Sequence, residues 1–313
     1  MNSVVDMTSV SIVIPVYNAE DSIGKLVDEL VSELNHQYDL EIVLVNDNSQ
    51  DNSEKICIAL YERNKDVIKF YSLSKNVGEH NAVMAGLNNF SGEYALIMDD
   101  DFQNSISEVI KLISYANKND YDVVYTYYKK KKHSLFRNLG SWFNDKAANI
   151  LLRKPKDLYL SSFKIINKYL VNEIIKYDLP FPYIDGLVLR TTDNIGKIEV
   201  EHSERMSGQS GYTPKKLVSL WLNMFTNFSI LPLRISIFTG FIFAFIGFFL
   251  GIQTVIEKLV NPDIPIGYPT VIVVIVIFSG IQLVALGMIG EYLGRLFLSQ
   301  NKKPQYSIRK KFE

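Results

Sequence analysis

Several features common to secreted proteins and to familiar enzyme classes are missing from this chain of 313 residues. Its only cysteine is Cys57, so no disulfide can form within the chain, and a reducing compartment is expected. No histidines and cysteines have the spacing of a zinc site, and no GxSxG motif marks a serine hydrolase. Neither GxGxxG nor GxxxxGK[ST] occurs, which disfavours an ordinary dinucleotide site and a P-loop.

A strong charge of either sign is also missing, since the formal net charge at pH 7 is -1. We therefore expect no nucleic-acid partner, because binding to phosphate backbones favours a basic protein. Charge is absent from residues 235–256 and again from residues 268–290. As a helix the first segment would be about 33 Å long, enough for a bilayer core of about 30 Å. A buried core helix is the alternative for one such segment, but two in succession predict two transmembrane helices.

The cations around these segments predict their orientation. Lys215, Lys216 and Arg234 precede the first segment, and the residues 257–267 between the segments carry a single lysine. Six cations follow the second segment: Arg295, Lys302, Lys303, Arg309, Lys310 and Lys311. Because cationic flanks stay on the cytoplasmic side, we expect both termini and the large N-terminal region in the cytoplasm.

The first hundred residues alternate β-rich apolar runs with segments of helical spacing. The predicted strands are residues 10–14, 41–45, 67–72 and 94–98, and the predicted helices are residues 22–34, 51–63 and 79–89. This alternation predicts an α/β domain with a mostly parallel sheet and helices on both faces. Polar clusters follow the first, second and fourth strands, at residues 15–18, 46–51 and 99–103. Ligands of such sheets bind at the carboxyl ends of the strands, so we expect these clusters to line one crevice.

The most informative motif is the run of three carboxylates that follows the fourth predicted strand. On an extended backbone every second side chain points the same way, so Asp99, Asp101 and Gln103 would form a row of oxygen atoms. Such a row suits a hard divalent cation, either Mg²⁺ or Mn²⁺. A solvated acidic turn that caps the following helix is the alternative.

Motifs along the whole chain resemble those of one enzyme family. Residues 14–18 (IPVYN), 45–51 (VNDNSQD), 76–78 (NVG) and 99–103 (DDDFQ) resemble the successive signatures of family-two, A-type glycosyltransferases. Residues 205–212 (RMSGQSGY), 231–234 (LPLR) and 287–295 (GMIGEYLGR) narrow the resemblance to bacterial polyisoprenyl-phosphate glycosyltransferases. These enzymes are relatives of dolichol-phosphate mannose synthase with two C-terminal membrane helices.

The resemblance implies a nucleotide-diphosphate sugar donor, with a UDP-sugar favoured, and a sugar transfer that inverts the anomeric centre. Asp47 would accept a hydrogen bond from the nucleotide base, while Pro15, Tyr17 and Asn18 would line the nucleoside pocket. Asp99 would lie near the ribose or the metal. An Asx turn that closes the second strand is the alternative for Asp47.

The resemblance also implies catalytic roles. Asp99 and Asp101, with Gln103, would hold the cation that bridges the donor phosphates, and Arg205 would place positive charge beside the departing diphosphate. A surface cation near the membrane is the alternative for Arg205. Asp185 lies where related transferases with hydroxyl acceptors have a general base, but a phosphate acceptor is already ionised. Asp185 could instead orient the acceptor or cap a helix.

The implied acceptor is a polyisoprenyl phosphate, such as undecaprenyl phosphate, in a bacterial cell membrane. Candidate ligands of its phosphate are Arg137 and Lys164, together with the lysines at 129–132. Many relatives have an acidic-Phe-Arg motif at residues 161–164, and a lysine there keeps the charge but loses bidentate recognition of phosphate. Residues 134–152 mix apolar and cationic side chains, which suits an interfacial helix, with packing on the soluble core as the alternative.

These observations divide the chain into a catalytic domain (1–212), an interfacial helix (213–234), a membrane pair (235–295) and a basic tail (296–313). The family often forms homo-oligomers, so a homo-oligomer is expected. A processive polysaccharide synthase is an alternative function, although the sequence lacks QxxRW and has few predicted spans. A catalytically silent membrane scaffold is another, against which the intact carboxylates of the motifs argue.

Overall fold

The structure is a computed structural model that describes residues 7–128, 155, 158–201, 231–261, 267–301 and 304–313. It divides into two compact units. The first unit contains Met1–Val218 and Lys303–Glu313, and the second contains Ser219–Lys302. After the second unit, the chain therefore returns to the first.

The first unit alternates strands and helices along the chain. Its strands are β1 (Ser9–Val16), β2 (Asp39–Asn46), β3 (Ile68–Leu73), β4 (Tyr94–Ile97), β5 (Val123–Tyr127), β6 (Lys164–Asn167), β7 (Ile195–Glu199) and β8 (Ile308–Phe312). Its helices are α1 (Ile23–Leu34), α2 (Ser53–Arg63), α3 (Glu79–Leu87), α4 (Ile106–Lys118), α5 (Lys168–Ile174) and α6 (Ile184–Thr191). Every element predicted before residue 100 is found, with ends that differ by at most two residues.

The described strands form one sheet in the order β7-β5-β6-β4-β1-β2-β3-β8. The strand β1 pairs in parallel with β2 and with β4, and β2 pairs in parallel with β3. The strand β6 runs antiparallel to both of its neighbours, and β8 runs antiparallel to β3. The predicted α/β fold with a mostly parallel sheet is confirmed.

The two faces of β1 pack against different helices. Ile12 and Ile14 belong to the same buried cluster as Leu26 and Leu30 of α1. On the other face α3 lies close to Val13, because a Cβ atom added to Gly86 would lie 2.4 Å from Val13 Cγ1. Strands covered on both faces are mainly apolar, as β1 and β2 are. This packing fixes the ends of β1 and β2, and with them the loops that follow.

The strand β8 at the edge of the sheet was not predicted from the sequence. Its Phe312 ring lies 5.7 Å from the Phe70 ring and 5.5 Å from the Tyr61 ring, centroid to centroid. The Tyr61 hydroxyl donates a hydrogen bond to the Glu313 carbonyl oxygen at 2.9 Å. Part of the predicted basic tail (296–313) is therefore a strand of the first unit.

The second unit contains α7 (Leu231–Val260) and α8 (Tyr268–Gln300). Both helices are long and apolar enough to cross a membrane, and their most apolar windows are not buried in the structure. The rings of Phe243 and Phe278 lie 6.1 Å apart between the two helices, and Gly247 also faces Phe278. These helices contain the two uncharged segments, and they indicate a membrane protein.

Candidate active site

The loops that follow β1, β2 and β4 meet at the carboxyl edge of the sheet. The Tyr17 backbone N–H donates to Asp100 Oδ2 at 3.0 Å. The Asn18 N–H donates to Ser49 Oγ at 3.0 Å, and Asn18 Oδ1 accepts from the Gln50 N–H at 2.8 Å. The three polar clusters that the sequence predicted to share a crevice are thus brought together.

The backbone of these loops adopts uncommon conformations. Among the residues that the structure describes, three non-glycine residues have a positive φ: Asn18 at 52°, Asn48 at 56° and Phe102 at 62°. One lies on each of the three loops. Such conformations persist where the surrounding contacts hold them in place, and they concentrate at functional sites.

Asp47 links the loop after β2 to the NVG motif at residues 76–78. It is buried, and its two carboxylate oxygens accept from the N–H groups of Val77 at 2.7 Å and Gly78 at 2.9 Å. Burial raises the pKa of Asp47, although these two hydrogen bonds act in the opposite direction. Asp47 therefore bonds to the NVG loop, while its neighbour Asn46 accepts through Oδ1 from the Ser49 N–H, three residues on, at 3.1 Å.

The other nucleoside-pocket candidates differ in exposure. Pro15 is buried within β1, whereas Asn18 is exposed and Tyr17 is 46% exposed. The Tyr17 ring therefore offers a flat apolar surface beside the crevice.

The acidic run does not lie on an extended strand. The strand β4 ends at Ile97, and the backbone bends before and at Phe102. Strand alternation therefore does not align Asp99, Asp101 and Gln103, contrary to the reasoning from sequence. Asp101 Oδ1 instead accepts a hydrogen bond from the Gln103 N–H at 3.2 Å.

Negative charge is concentrated at this run. Asp99 Oδ2 accepts from Ser162 Oγ at 2.7 Å, while Asp100 points towards the loop after β1. Burial raises the pKa of both Asp99 and Asp100 to about 7. The charge of Glu79 raises the pKa of Asp99 further, and Asp101 acts on both carboxyl groups in the same direction.

This loop fits a divalent cation that also binds a substrate. A cation would relieve the repulsion among these carboxylates, and their oxygen atoms suit Mg²⁺ or Mn²⁺. Within the described part of the chain, no three histidine, cysteine, aspartate or glutamate side chains are arranged to hold a metal together. Mg²⁺ often takes only one or two carboxylates and completes its shell with water and substrate phosphates.

A buried ion pair lies beside the acidic run. Lys164 of β6 stands opposite Ile97 of β4 in the sheet and pairs with Asp185 of α6. The Tyr125 hydroxyl donates to Asp185 Oδ1 at 2.8 Å, and the Lys164 ammonium lies 5.0 Å from the centre of the Tyr125 ring. Lys164 is 4% exposed and Asp185 is 7% exposed, so both charges depend on each other for compensation.

Asp185 does not cap α6, since Tyr183 occupies the N-cap position. The Tyr183 ring contacts the His80 ring edge-on at 5.1 Å. Burial lowers the pKa of His80 to about 4, although the charge of Asp185 raises it. Sequence reasoning missed Tyr125 and His80, which belong to no motif, and gave no role to Ser162, although it lies within residues 161–164. The pairing of β6 with β4 and β5 brings Tyr125 and Ser162 to the site.

Several candidate residues lie outside the residues that the structure describes: Arg137, Arg205 and the lysines at 129–132. The predicted interfacial helix at residues 134–152 also lies outside the described residues. So do residues 213–230 of the predicted interfacial helix at 213–234. Their roles stay predictions.

Comparison with known proteins identifies the family. The model of glycosyl transferase family 2 matches residues 11–175, just over half of the chain. The chain is 31% identical over 310 residues to the undecaprenyl-phosphate 4-deoxy-4-formamido-L-arabinose transferase of Photorhabdus laumondii, covering 96% of this chain and 93% of that protein. The transferase of the same name from Yersinia enterocolitica is 32% identical over 306 residues, with 96% and 93% covered.

Solved structures support the fold. Glucosyl-3-phosphoglycerate synthase from Mycobacterium tuberculosis, in complex with Mn²⁺ and UDP-glucose, matches with a TM-score of 0.51 and 16% identity. The match covers 69% of this chain and 76% of that one. The family model and the relatives confirm the resemblance to polyisoprenyl-phosphate glycosyltransferases: the chain belongs to glycosyl transferase family 2 and is a glycosyltransferase.

Proposed function

We propose that the protein transfers a sugar from a UDP-sugar to undecaprenyl phosphate, with inversion, at the cytoplasmic face of a bacterial membrane. The observation that carries the proposal is the convergence of three strand-end loops around Asp47, Asp99 and Asp100. The curated relatives that cover nearly the whole chain have undecaprenyl phosphate in their names. Two helices that could cross a membrane would keep the enzyme beside such a lipid.

In this proposal the nucleoside lies between the loops after β1 and β2. Tyr17 and Asn18 would contact it directly, with Pro15 fixing the start of their loop. Asp47 would accept a hydrogen bond from the base, which its present contacts permit because each carboxylate oxygen has two lone pairs. Asp99 would lie near the ribose.

Asp99, Asp101 and Gln103 are the residues proposed to hold Mg²⁺ or Mn²⁺. The bound cation would supply fixed positive charge to the donor diphosphate. Arg205 would add a guanidinium beside the same leaving group, where charge grows in the transition state. Support comes from the raised pKa of the carboxyl groups of Asp99 and Asp100, which burial raises most and the neighbouring carboxylates raise further.

The acceptor phosphate needs no strong general base. A phosphate monoester has its second pKa near about 6, so its oxygen is ionised at neutral pH. That oxygen attacks the anomeric carbon while the bond from this carbon to the diphosphate breaks, and UDP leaves. We therefore assign Asp185 a positioning role, which its pairing with Lys164 and Tyr125 supports.

The acceptor phosphate would approach Arg137, and the buried Lys164 would contribute a second positive charge. Lys164 is bound to Asp185, so a phosphate would have to compete with that carboxylate for direct contact. Its charge nevertheless reaches Asp99, whose pKa it lowers. Both termini would be cytoplasmic, and the protein would form a homo-oligomer.

Substitution of Asp101 tests the proposal. Full-length Asp101→Asn protein should lose at least about 100-fold in Mn²⁺-dependent transfer to undecaprenyl phosphate, the size of one lost electrostatic contact in a transition state. Asp66→Asn is the matched control, because Asp66 is exposed in the turn before β3, at the opposite edge of the sheet. Near-normal transfer by Asp101→Asn, in assays where the control is also normal, would contradict the assignment.

A further inference from the structure

Glu54, in the first turn of α2, connects the edge strand β8 to the loop after β2. Lys310 of β8 forms an ion pair with Glu54. The other carboxylate oxygen of Glu54 accepts from Ser72 Oγ at 2.9 Å and from Asn46 Nδ2 at 3.4 Å. Asn46 Nδ2 also donates to Ser72 Oγ at 3.0 Å. Lys310, Glu54, Ser72 and Asn46 therefore form one polar network, which begins at Lys310 on β8 and ends at Asn46.

The inner end of this network is buried. Asn46 is 0% exposed and Ser72 is 1% exposed, whereas the side chains of Lys310 and Glu54 are 45% and 29% exposed. Lys310 beside Glu54 holds the pKa of that carboxyl below its ordinary value. Glu54 is thereby kept as a charged acceptor for the two buried donors, and hydrogen bonds to charged acceptors are stronger than neutral ones.

Asn46 carries the network into the proposed nucleoside pocket. Its side-chain oxygen accepts from the Ser49 N–H at 3.1 Å, and Ser49 Oγ accepts from the Asn18 N–H at 3.0 Å. Asn46 is also the residue before Asp47. A rotation of the Asn46 side chain would therefore disturb both Asp47 and Asn18.

An amide at position 46 matches the charge of Glu54. Asn46 donates to Glu54 through its nitrogen and accepts from Ser49 through its oxygen, which an aspartate could not do at once. An aspartate here would place two carboxylates in contact, and Lys310 forms an ion pair with only one of them, Glu54. The network therefore favours asparagine over aspartate at position 46.

We infer that Lys310 is a positioning residue for nucleotide binding, which acts through Glu54 and Asn46 on the loop that carries Asp47. The inference rests on the proposed function, because it takes this loop to bind the nucleotide. The strand that follows the membrane segments along the chain thus helps to shape the donor site.

The rest of β8 does not depend on Lys310. The strand pairs with β3 along its length, Phe312 packs on Phe70 and Tyr61, and Gln305 donates to two carbonyl oxygens before α6. Substitutions of Lys310 should therefore leave the strand in place. Lys311 is the matched control, since it lies on the same strand with the same charge but pairs with Glu313.

The test measures UDP affinity, with Mn²⁺ present, by calorimetry on the full-length protein in detergent. Lys310→Ala should weaken binding by about threefold and Lys310→Glu by about tenfold, as expected for a partly exposed ion pair lost or reversed. Lys310→Arg and Lys311→Ala should bind like the wild type. In transfer assays the KM for the nucleotide sugar should rise, with kcat and the melting temperature unchanged.

A double-mutant cycle isolates the proposed route. In a Glu54→Gln background, Lys310→Ala should have no further effect on UDP affinity. Equal losses in both backgrounds, or wild-type affinity in Lys310→Glu, would overturn the inference. Asp47→Asn separates this failure from that of the proposed function: if Asp47→Asn weakens UDP binding and Lys310→Glu does not, only the role of Lys310 fails. If neither variant changes UDP affinity, the nucleotide site itself is misassigned.

Discussion

At the scale of single residues, the chemistry of the site depends on how charges are compensated. Asp99 and Asp100 concentrate negative charge at a sheet edge, while Lys164 holds a buried positive charge next to Asp185. The DDDFQ motif at residues 99–103 predicted this concentration of negative charge from the sequence. The buried pair could not be predicted from spacing, because it forms only when β6 inserts antiparallel between β4 and β5.

Removal of one partner of this pair should be costly. Asp185→Asn leaves the Lys164 ammonium buried without its counter-charge and should lower the free energy of unfolding by about 3 kcal/mol or more. Lys164→Met combined with Asp185→Asn should be closer to the wild type, because no uncompensated charge remains. Thermal unfolding in detergent measures both, and a double variant as unstable as Asp185→Asn alone would contradict the role of the pair.

His80 gives the fold a defined response to acid. Its pKa is about 4 in the folded protein and about 6.5 when unfolded, so the unfolded state binds more protons between these values. The contribution of His80 to the free energy of unfolding is fully present above about pH 6.5. It falls as the pH drops towards 4, by as much as about 3 kcal/mol. The raised pKa values of Asp99 and Asp100 act in the opposite direction, so the wild type must be compared with a variant.

His80→Phe keeps a ring against Tyr183 and removes the titration. We expect the melting temperature of the wild type to fall relative to that of His80→Phe as the pH is lowered from 6.5 to 4. A constant difference across this range would show that His80 is not held neutral.

At the scale of elements, sequence periodicity predicted the sheet around β1 but not its edges. The strands β1, β2, β3 and β4 are mainly apolar because both faces are covered, and such runs are visible in the sequence. The strand β8 has the sequence IRKKF, and its three consecutive cations are typical of a solvated tail. Edge strands tolerate such charges, so only the pairing with β3 reveals the strand.

The packing of α3 on β1 should depend on Gly86. The added methyl group of Gly86→Ala would overlap Val13, so we expect a loss of about 1–3 kcal/mol in unfolding free energy. Gly24→Ala in α1 is the matched control, since its Cβ would lie 3.6 Å from the nearest atom, Ile56 Cγ2. Alanine there should be neutral or stabilising by up to about 1 kcal/mol. Chemical denaturation compares the two, and equal effects would contradict the close approach of α3.

At the scale of the whole molecule, the return of the chain to β3 constrains the proposed topology. The strand β8 follows α8 in sequence and pairs with a strand that precedes α7, so both must lie on one side of the membrane. Two membrane-spanning helices between β3 and β8 satisfy this condition, whereas a single spanning helix does not. The cationic flanks then favour the cytoplasm for that side.

Single cysteines test this topology, since Cys57 is buried. Asn261→Cys, between the two helices, should react with a membrane-impermeant maleimide in intact cells. Asp66→Cys, in the catalytic unit, should react only after permeabilisation. Labelling of Asp66→Cys in intact cells would contradict a cytoplasmic location of the first unit.

In the proposed reaction, a sugar alone passes from the nucleotide to the lipid phosphate. Its most direct test is mass spectrometry of the lipid and nucleotide products after the full-length protein is incubated with undecaprenyl phosphate, Mn²⁺ and a panel of UDP-sugars, including the 4-deoxy-4-formamido-L-arabinose donor. We expect one sugar per undecaprenyl phosphate and an equal amount of UDP. Release of UMP, several sugars on each lipid, or no lipid-linked sugar from any nucleotide donor would contradict it.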